Sequence, residues 1–461
     1  MKKLTRRNFL KSSVFATAGI FSIPTILPAN FLKNGSPNDK INIGVIGCGR
    51  IARGHDIPET IKYNSARIVA VCDVDSKRMK EGKEFVEGLY LKKTGKKDFV
   101  NIKMYGDFRD LIADKDIDAV IVSTPDFWHA LPAIAAARAG KDIYLQKPLS
   151  LTIQEGRALS DTIHRTGRIL QVGSQQRSLN PWPQFHRACE LVRNGRIGEI
   201  KTIQIGLPGD PSGNEEPEMP IPENLNYNMW LGSTPSVYYT EKRVHPQSGY
   251  SRPGWLRIEQ FGSGMITGWG AHHIDTAHWG MGTEYTGPIE IVGEAVFPKS
   301  GLWNVHGDFK IKSKYANGVE MFISGDNPNG VRFEGTEGWI FVSRGAVKVT
   351  SSDPGTADKS LKALDASDQK ILDSVISPNE IHLYESKEQH GNWLESIRSR
   401  KQPVAPAEIG HRSCSACLIS HISMKLPRKL YWDPAKERFK NDDEANSMLS
   451  RPMRLPWRGL L

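Results

Sequence analysis

The sequence predicts a protein of the α/β class, with a doubly wound parallel sheet in its first domain and a second domain behind it. Its 461 residues are more than one hydrophobic core usually accommodates. Three apolar runs of strand length follow one another, KINIGVI, ARIVAVCDV and IDAVIVSTP, and a glycine-rich turn directly follows the first. Buried parallel strands that end in such turns are typical of nucleotide-binding sheets.

The glycine-rich turn reads GCGRIA from Gly47, which is a G-x-G-x-x-A pattern. In this pattern Gly47 permits the tight turn, Gly49 lets a pyrophosphate approach the backbone, and Ala52 allows close helix–strand packing. The second run ends at Asp73, whose carboxylate suits the ribose hydroxyls of adenosine and repels a 2′-phosphate. The pattern therefore predicts a nucleotide site that prefers NAD to NADP. The alternative is a parallel sheet that binds no nucleotide. The cofactor residues assigned here are Gly47, Gly49, Arg50, Ile51 and Asp73.

The third run ends with Ser123, Thr124 and Pro125, at the sheet edge where doubly wound folds bind ligands. The stretch TPDFWHALPAIAAARAGKDIYLQKPL resembles the Gfo/Idh/MocA oxidoreductase family, which carries TPxxxHxxxAxxAxxAGKxVxxEKP in the same place. The resemblance continues through ILQVGSQQR and FHRACELVRNGRIGEIKTI, and it returns in QHGNWLESIRSRKQPVAPAEIGHRS and KLYWDPAKERF. It covers most of the chain after residue 40.

This resemblance implies an N-terminal Rossmann domain followed by an α/β domain with an open, mostly antiparallel sheet. The exposed face of the second sheet would cover the nicotinamide and hold a sugar or polyol. In the family that open sheet commonly packs against a partner subunit, so a homo-oligomer is expected. The predicted segments are a signal peptide and linker (1–34), a NAD(P)-binding domain (35–170), a substrate domain (171–385), and a C-terminal helical segment and tail that packs back on the body (386–461).

The resemblance also implies roles for individual residues. Lys147 takes the position of the family's catalytic lysine, and Gln146 replaces the usual glutamate before it. Arg177 lies in a segment that often reaches the substrate. Together with the residues that end the third apolar run, the resemblance gives a second set of cofactor positions. These are Ser123, Thr124, Pro125, His129, Gln146 and Lys147.

The stretch TGWGAHHIDTAHWG resembles the family's second catalytic block, D-x-G-x-H-x-x-D-x-x-x-W. The match makes His272 the catalytic partner of Lys147 and assigns Asp275 to the substrate, with helix stabilisation as the alternative role for Asp275. The block's first aspartate falls on Gly268, which departs from the pattern. We expect His272 at a strand–helix junction, because residues 269–271 would leave a strand.

Metal binding is the competing interpretation of this stretch and of a second one. On a helix, His272, Asp275 and His278 spread around the axis, whereas zinc needs three or four converging ligands. Near the C-terminus, Cys414 and Cys417 form a CxxC between two histidines, all along one helix face, and such a stripe cannot surround a tetrahedral ion. We predict no metal, core packing for the CxxC, and no disulfide scaffold.

The segment from residue 206 to 253 is rich in Pro, Gly, Asn and Tyr and predicts long loops. Trp230, Tyr238 and Trp255 offer ring faces on which a sugar can stack, and Trp230 is assigned to the substrate. The alternative is that these aromatic residues anchor the loops.

The formal net charge of +10 is concentrated at the start of the chain, where five of the first eleven residues are basic. There TRRNFLK precedes the apolar run SSVFATAGIFSIPTILPA, which resembles a twin-arginine signal peptide and predicts export to the periplasm. No basic stripe with aromatic residues follows, so nucleic acid is not an expected partner. No other run is long and apolar enough to cross a membrane.

These features predict an NAD(P)-dependent oxidoreductase that acts on a secondary hydroxyl of a sugar, polyol or glycoside. Because no NADH pool is expected outside the cytoplasm, the cofactor should stay bound through the reaction. One alternative is a redox-neutral glycosidase, lyase or epimerase that oxidises the sugar transiently. Another is a carbohydrate-binding protein with a vestigial nucleotide site, motivated by Gly268 and Gln146.

Overall fold

The first sheet has the parallel, doubly wound arrangement that the sequence predicts. The computed structural model describes residues 40–96, 100–345 and 362–459, and the predicted signal segment lies outside them. The six strands are β1 (Ile41–Ile46), β2 (Ala66–Cys72), β3 (Lys103–Tyr105), β4 (Ala119–Val122), β5 (Asp142–Leu145) and β6 (Leu170–Val172). They pair in parallel in the order β3-β2-β1-β4-β5-β6. The strand order reverses between β1 and β4, so the ligand crevice is expected at their carboxyl ends.

Helices cover both faces of this sheet. They are α1 (Ile57–Ile61), α2 (Ser76–Thr94), α3 (Phe108–Ala113), α4 (Ala130–Arg138) and α5 (Ile153–Thr166), with a π-helical turn at Ala52–Asp56. Local sequence explains where they begin: Asp75 caps α2, and Thr152 with Glu155 forms a capping box on α5. All residues of β4 and β5 are buried, which accounts for their continuous apolar runs.

The second sheet is mixed and mostly antiparallel, as expected. Its strands are β7 (Ile200–Gly206), β8 (Glu290–Ala295), β9 (Phe309–Lys314), β10 (Glu320–Ser324), β11 (Gly330–Gly335), β12 (Trp339–Val342), β13 (Leu364–Ala366), β14 (Leu430–Asp433) and β15 (Arg438–Phe439). The order is β13-β12-β11-β7-β10-β9-β8-β14-β15, where β7 and β10 run parallel and the other described pairs are antiparallel. Buried and exposed residues alternate along β9, so one face of the sheet is covered and the other is open.

Eight further described α-helices follow the first domain along the chain. They are α6 (Pro183–Arg193), α7 (Tyr227–Leu231), α8 (Met265–Gly268), α9 (Gly270–Met281), α10 (Gln369–Asp373), α11 (Gln389–Ser399), α12 (Ala407–Lys425) and α13 (Asp443–Ser447). Helix α12 packs against α5 of the first domain, against α9, and against β8 of the second sheet. From α11, Trp393 and Leu394 belong to the apolar cluster that includes residues of β1 and β2. Residues near the C-terminus therefore complete the core of the first domain.

The CxxC lies inside α12, as the sequence predicts, and its residues are buried. Burial raises the pKa of Cys414 to about 11, as is usual for a buried structural thiol. The flanking histidines have other partners, since His411 Nε2 lies 2.7 Å from Glu437 Oε1 and His421 Nε2 lies 3.1 Å from Glu259 Oε1. All five cysteines of the chain are buried free thiols.

The predicted segment boundaries do not coincide with the ends of the sheets. Strand β6 runs on to Val172, past the predicted boundary at residue 170, and the segment from residue 386 adds β14 and β15 to its helices. The boundaries themselves stay predictions. Within the described part of the chain, no helix combines the length and the apolar character needed to cross a bilayer.

Candidate active site

A cavity at the carboxyl end of the first sheet brings together the residues that the sequence assigns to the cofactor. All of them line it: Gly47, Gly49, Arg50, Ile51, Asp73, Ser123, Thr124, Pro125, His129, Gln146 and Lys147. The second domain contributes His272 and Trp230 to the same lining. Arg177 and Asp275, which the sequence assigns to the substrate, are not part of it.

The glycine-rich turn fits a dinucleotide. Gly47 has a φ of 92°, and a Cβ there would lie 2.8 Å from the backbone oxygen of Ser123, so only glycine suits the position. A Cβ on Gly49 would meet no described atom within 4 Å, which leaves open space over the backbone where a pyrophosphate would lie. At the end of β2, Asp73 accepts hydrogen bonds from the amides of Cys48 (2.8 Å) and Asp75 (2.9 Å). Burial raises the pKa of Asp73.

A segment of the second domain, residues 224–250, crosses this end of the cavity, and we call it the strap. The amide of Ser76 donates to Asn224 O (2.8 Å), and Asn224 Nδ2 donates to Asp75 Oδ1 (2.7 Å). His245, which lines the cavity, places Nε2 3.0 Å from Asp75 Oδ2. Although burial raises it, these contacts lower the pKa of Asp75 to about 2. The loops predicted for this part of the chain therefore close over the adenosine end of the site.

Lys147 lies at the end of β5, and its ammonium group is oriented by the second domain. Its Nζ donates a hydrogen bond of 2.6 Å to the backbone oxygen of Gly268. Where the family pattern has an aspartate, this chain therefore offers Lys147 a backbone carbonyl. This acceptor carries no formal charge.

His129 holds the segment that carries Lys147. Its Nδ1 lies 2.5 Å from Pro148 O, and its Nε2 lies 2.9 Å from Thr124 O. Burial lowers the pKa of His129 to about 4, and the neutral ring donates to only one of these two carbonyl oxygens. The ring thus links the end of β4 to the residue after Lys147.

His272 lines the cavity, but the local structure differs from the expected strand–helix junction. The residues before it form helix α8, and His272 lies in the first turn of α9. The reason lies in Asp210, whose Oδ2 accepts the amide of Met265 at 2.7 Å and so favours a helix start there. Burial lowers the pKa of His272 well below its usual value, with Arg344 and Lys147 adding to the effect. His272 is therefore neutral.

The other histidines of this stretch point to different partners. His273 Nε2 lies 2.7 Å from Asn329 Oδ1, and His278 Nε2 lies 2.8 Å from Tyr315 OH. Burial lowers the pKa of His273 to about 3 and that of His278 to about 4. These rings do not converge with His272 on one point, and their contacts are those of buried structural histidines.

Among the described residues, one group brings three potential metal-ligand atoms close together: His55, Asp56 and His390, within 4.8 Å of one another. Both carboxylate oxygens of Asp56 already accept hydrogen bonds, from Gln146 Nε2 (2.7 Å) and Ser123 Oγ (2.6 Å). The group is thus explained by hydrogen bonding to residues of the cavity wall, and the absence of a metal stays a prediction.

Arg177 and Asp275 form a buried ion pair outside the cavity lining, and a substrate contact for either residue stays a prediction. Arg177 donates from Nε to Asp275 Oδ2 (2.6 Å) and from Nη2 to Asp275 Oδ1 (3.0 Å). Its Nη1 donates to Glu284 Oε1 (2.6 Å), and Ser413 Oγ donates to Asp275 Oδ1 (2.8 Å). Both side chains of the pair are at most 2% exposed. Because these hydrogen bonds occupy both groups, the geometry gives them a structural role.

Trp230 lines the cavity from within an aromatic cluster. Its ring packs edge-on against Phe127 (5.4 Å between ring centres) and Phe261 (5.0 Å), and Tyr227 stacks on it at 5.8 Å. Its backbone oxygen accepts from Trp128 Nε1 at 2.8 Å. These contacts match the loop-anchoring alternative, and a sugar contact for Trp230 stays a prediction.

The lining residues that the sequence analysis did not assign include Asp126, Arg252 and Arg344. Burial raises the pKa of Asp126 to about 7, although Lys147 and Arg252 oppose the rise. Arg344 lies over the rings of Trp182 (4.0 Å) and Trp269 (4.6 Å). Asp126 follows the TP dipeptide directly and could have been found at that strand end. The two arginines come from loops whose path the sequence does not reveal.

The fold and this cavity define a two-domain dinucleotide-binding protein whose second domain closes the site. The chain belongs to the Gfo/Idh/MocA oxidoreductase family. The family's NAD-binding Rossmann fold matches residues 41–174, and its C-terminal alpha/beta domain matches residues 212–373 and 376–459. These matches confirm the family, the fold class and NAD as the cofactor.

Individual proteins resemble this chain more distantly. It is 28% identical over 245 residues to inositol 2-dehydrogenase 2 of Saccharopolyspora erythraea, covering 53% of this chain and 55% of that one. It is 29% identical over 211 residues to a glycosyl hydrolase family 109 protein of Shewanella pealeana, covering 43% and 44%. The chain thus spans about half the length of these relatives. The WlbA dehydrogenase from Bordetella pertussis, in complex with NADH and UDP-GlcNAcA, shares the fold with a TM-score of 0.56 and 16% identity over 86% of this chain and 99% of that one.

Proposed function

We propose that this protein is an NAD-dependent oxidoreductase that keeps its cofactor bound and acts on a secondary hydroxyl of a sugar, polyol or glycoside. The observation that carries the proposal is the placement of Lys147 and His272 in the same cavity as the glycine-rich turn. The substrate class is supported by the inositol 2-dehydrogenase relative and by the sugar nucleotide in the WlbA complex. The particular sugar and the carbon oxidised are left open.

In this proposal Lys147 takes up the proton of the reacting hydroxyl as a neutral amine when the sugar is oxidised, and returns it as an ammonium group when the ketone is reduced. An ammonium group has three N–H donors, and the bond to Gly268 O orients it toward the cavity. Neutral His272 is able to accept a hydrogen bond or a proton from the same oxygen. Bound NAD would exchange hydride at C4 of its nicotinamide ring. General acid–base assistance of this kind contributes about 10²–10⁴-fold to a rate.

The strap supports the claim that the cofactor stays bound. Besides the contacts to Asp75, Arg78 Nη2 donates to Pro246 O (2.7 Å) and Lys77 Nζ donates to Gln247 O (2.7 Å). Tyr250 lies between two guanidinium groups, with Arg53 at 4.4 Å and Arg78 at 4.6 Å from its ring. Release of a nucleotide beneath the strap requires several of these contacts to break, which slows dissociation.

A redox-neutral glycosidase or lyase is the second candidate, and Asp126 is the observation that favours it. Such a reaction needs a second group that removes a carbon-bound proton next to the transient ketone and protonates the departing glycosidic oxygen. A cavity carboxyl with a pKa of about 7 suits both steps. The glycosyl hydrolase family 109 relative agrees with this candidate.

Asp126→Asn is expected to remove a titration near pH 7 from both activity and stability. Because burial raises the pKa of Asp126 to about 7, the folded state keeps a proton that the unfolded state loses at about pH 4. Between these values the free energy of unfolding therefore falls as the pH rises. Thermal unfolding from pH 4.5 to 8 should depend less on pH in the variant. Equal slopes would contradict the assignment, and the exposed Asp116→Asn serves as the control.

The bound cofactor is tested by denaturing the protein as purified, without added nucleotide, and identifying what is released. About one equivalent of NAD(H), seen by mass spectrometry and absorbance near 340 nm, is expected for a retained cofactor. A carbohydrate-binding protein with a vestigial site would release no nucleotide and would take up none when NAD is added. That result would end the oxidoreductase proposal.

We extend the proposal to location and assembly. The leader TRRNFLK with its apolar run supports export by the twin-arginine route to the periplasm. The open face of the second sheet, where Lys310, Lys312 and Lys314 are exposed on β9, is the surface proposed for a homo-oligomer. Fractionation of cells and the mass of the purified protein in solution test these two points.

A further inference from the structure

Asp56 is a fully buried carboxyl group that touches the cavity wall from behind. It ends the π-helical turn that follows the glycine-rich turn and is 0% exposed. Its Oδ1 accepts Gln146 Nε2 at 2.7 Å, and its Oδ2 accepts Ser123 Oγ at 2.6 Å. Gln146 and Ser123 end neighbouring strands and both line the cavity beside Lys147.

The surroundings of Asp56 keep it ionised. His55 Nδ1 lies 3.1 Å and His390 Nε2 lies 3.5 Å from its Oδ1. Although burial raises it, the contacts with His390 and His55 hold the pKa of Asp56 below its usual value. His390 stacks on Tyr144 at 4.1 Å, and burial lowers the pKa of His390, so this ring is neutral. The carboxylate therefore brings a negative charge that its buried neighbour His390 does not cancel.

An ionised carboxylate only accepts hydrogen bonds, so it determines how its two partners are oriented. Gln146 must direct its amide nitrogen to Asp56, which leaves its oxygen as the group offered to other partners. Ser123 must direct its hydroxyl hydrogen to Asp56, which leaves lone pairs on its oxygen. A glutamate at position 146 would place two carboxylates 2.7 Å apart, and both could not stay ionised. Asp56 thus accounts for the glutamine at position 146.

We propose that Asp56 is a positioning residue that presents Gln146 and Ser123 to the cofactor as hydrogen-bond acceptors. Its carboxylate also places a fixed negative charge behind the nicotinamide end of the cavity. NAD⁺ is therefore held more tightly than NADH. The inference depends on the proposed function insofar as the cavity must hold NAD beside Lys147. Its consequence is an enzyme that rests in the oxidised form and begins its cycle by oxidising a substrate.

The test compares the nucleotide preference of three forms of the full protein with that of the wild type. Each is first freed of its retained nucleotide and then equilibrated with equal concentrations of NAD⁺ and NADH. Unbound nucleotide is removed, the protein is denatured, and the released ratio is measured. Asp56→Asn removes the charge and should lower the NAD⁺ to NADH ratio roughly tenfold. In the double variant Asp56→Asn with Gln146→Glu, position 146 carries the carboxylate and position 56 the amide. This variant should restore the preference for NAD⁺. Asp142→Asn removes a buried carboxyl group that is paired with Arg400. Asp142 begins β5, at the opposite end of that strand from Gln146, so this variant should leave the ratio unchanged.

The outcomes separate this inference from the proposed function. A wild type that takes up neither nucleotide would overturn the proposed function itself. A wild type that binds both, with an unchanged ratio in Asp56→Asn, would overturn the inference and leave the oxidoreductase proposal standing. If Asp56→Asn does not fold, Gln146→Met decides: it keeps the charge but removes the oriented amide, so NAD occupancy should fall while the preference for NAD⁺ stays. Full occupancy in that variant would refute the positioning role.

Discussion

Replacement of Lys147 by methionine is expected to reduce turnover by about 10²–10⁴-fold while the protein keeps its bound NAD. Methionine has a similar length but no N–H donor, so it loses both the bond to Gly268 O and the ability to move the hydroxyl proton. The measurement is reduction of the bound cofactor at 340 nm, in a single turnover, on a panel of aldoses, polyols and methyl glycosides.

Lys141 provides the matched control for this experiment. Its Nζ donates to the backbone oxygens of Asp114 (2.8 Å) and Ile117 (2.6 Å), so Lys141→Met also removes a lysine bonded to carbonyl groups, but outside the cavity lining. Its turnover per folded molecule should match the wild type. A Lys147→Met protein that keeps turnover within a few-fold would move the proton-transfer role to another residue, with His272 and Asp126 as the candidates in the same cavity.

Replacement of Arg177 by methionine is expected to lower the free energy of unfolding by about 3–5 kcal/mol. The change leaves Asp275 buried without its main partner, and the cost of an uncompensated buried charge is large. Urea denaturation measures the effect. Arg109→Met, which breaks the exposed ion pair with Asp107, should cost about 0–1 kcal/mol.

A second variant separates structure from substrate binding at Arg177. Arg177→Met combined with Asp275→Leu removes both charges of the pair and should recover part of the lost stability, because no buried charge of the pair remains. If Arg177 contacts the substrate, the double variant stays defective in KM after its stability is recovered. If the pair is structural, KM returns toward the wild-type value.

The nucleotide half of the site could be predicted from the sequence because its signals are local. Gly47, Gly49 and Asp73 lie in a turn and a strand end whose geometry depends on few neighbours, and the structure places all three in the cavity wall. Lys147 was found through the family pattern around it. These residues follow from short segments, so one sequence was enough to place them.

The remaining features depend on contacts between distant segments. Arg177 lies in a segment that often reaches the substrate in the family. In this structure Asp275 and Glu284 bind its guanidinium group in buried ion pairs. The strand expected before His272 is a helix because Asp210, far along the chain, accepts the amide of Met265. Asp56 carried no signal of function, because its importance comes from burial and from neighbours that only the fold supplies. Asp126 follows a recognisable strand end, but the burial that raises its pKa is visible only in the fold.

The exchange of aspartate for Gly268 also has a physical interpretation. A backbone carbonyl orients Lys147 as a carboxylate would, but it can neither take up a proton nor attract the ammonium with a full charge. The proton that leaves the substrate must therefore stay with Lys147, His272 or Asp126. Under the proposed function, the same group would return this proton when the retained cofactor returns its hydride.

The packing of the C-terminal helices has a consequence for biosynthesis. Trp393 and Leu394 of α11 complete the apolar cluster of β1 and β2, and α12 packs against α5. The nucleotide domain is translated first, yet it lacks part of its interior until the last helices have left the ribosome. We therefore expect NAD to be captured only after α11 and α12 have been synthesised. A nascent chain stalled before residue 389 should bind no NAD, and loss of the final helices should leave the N-terminal portion exposed to proteases.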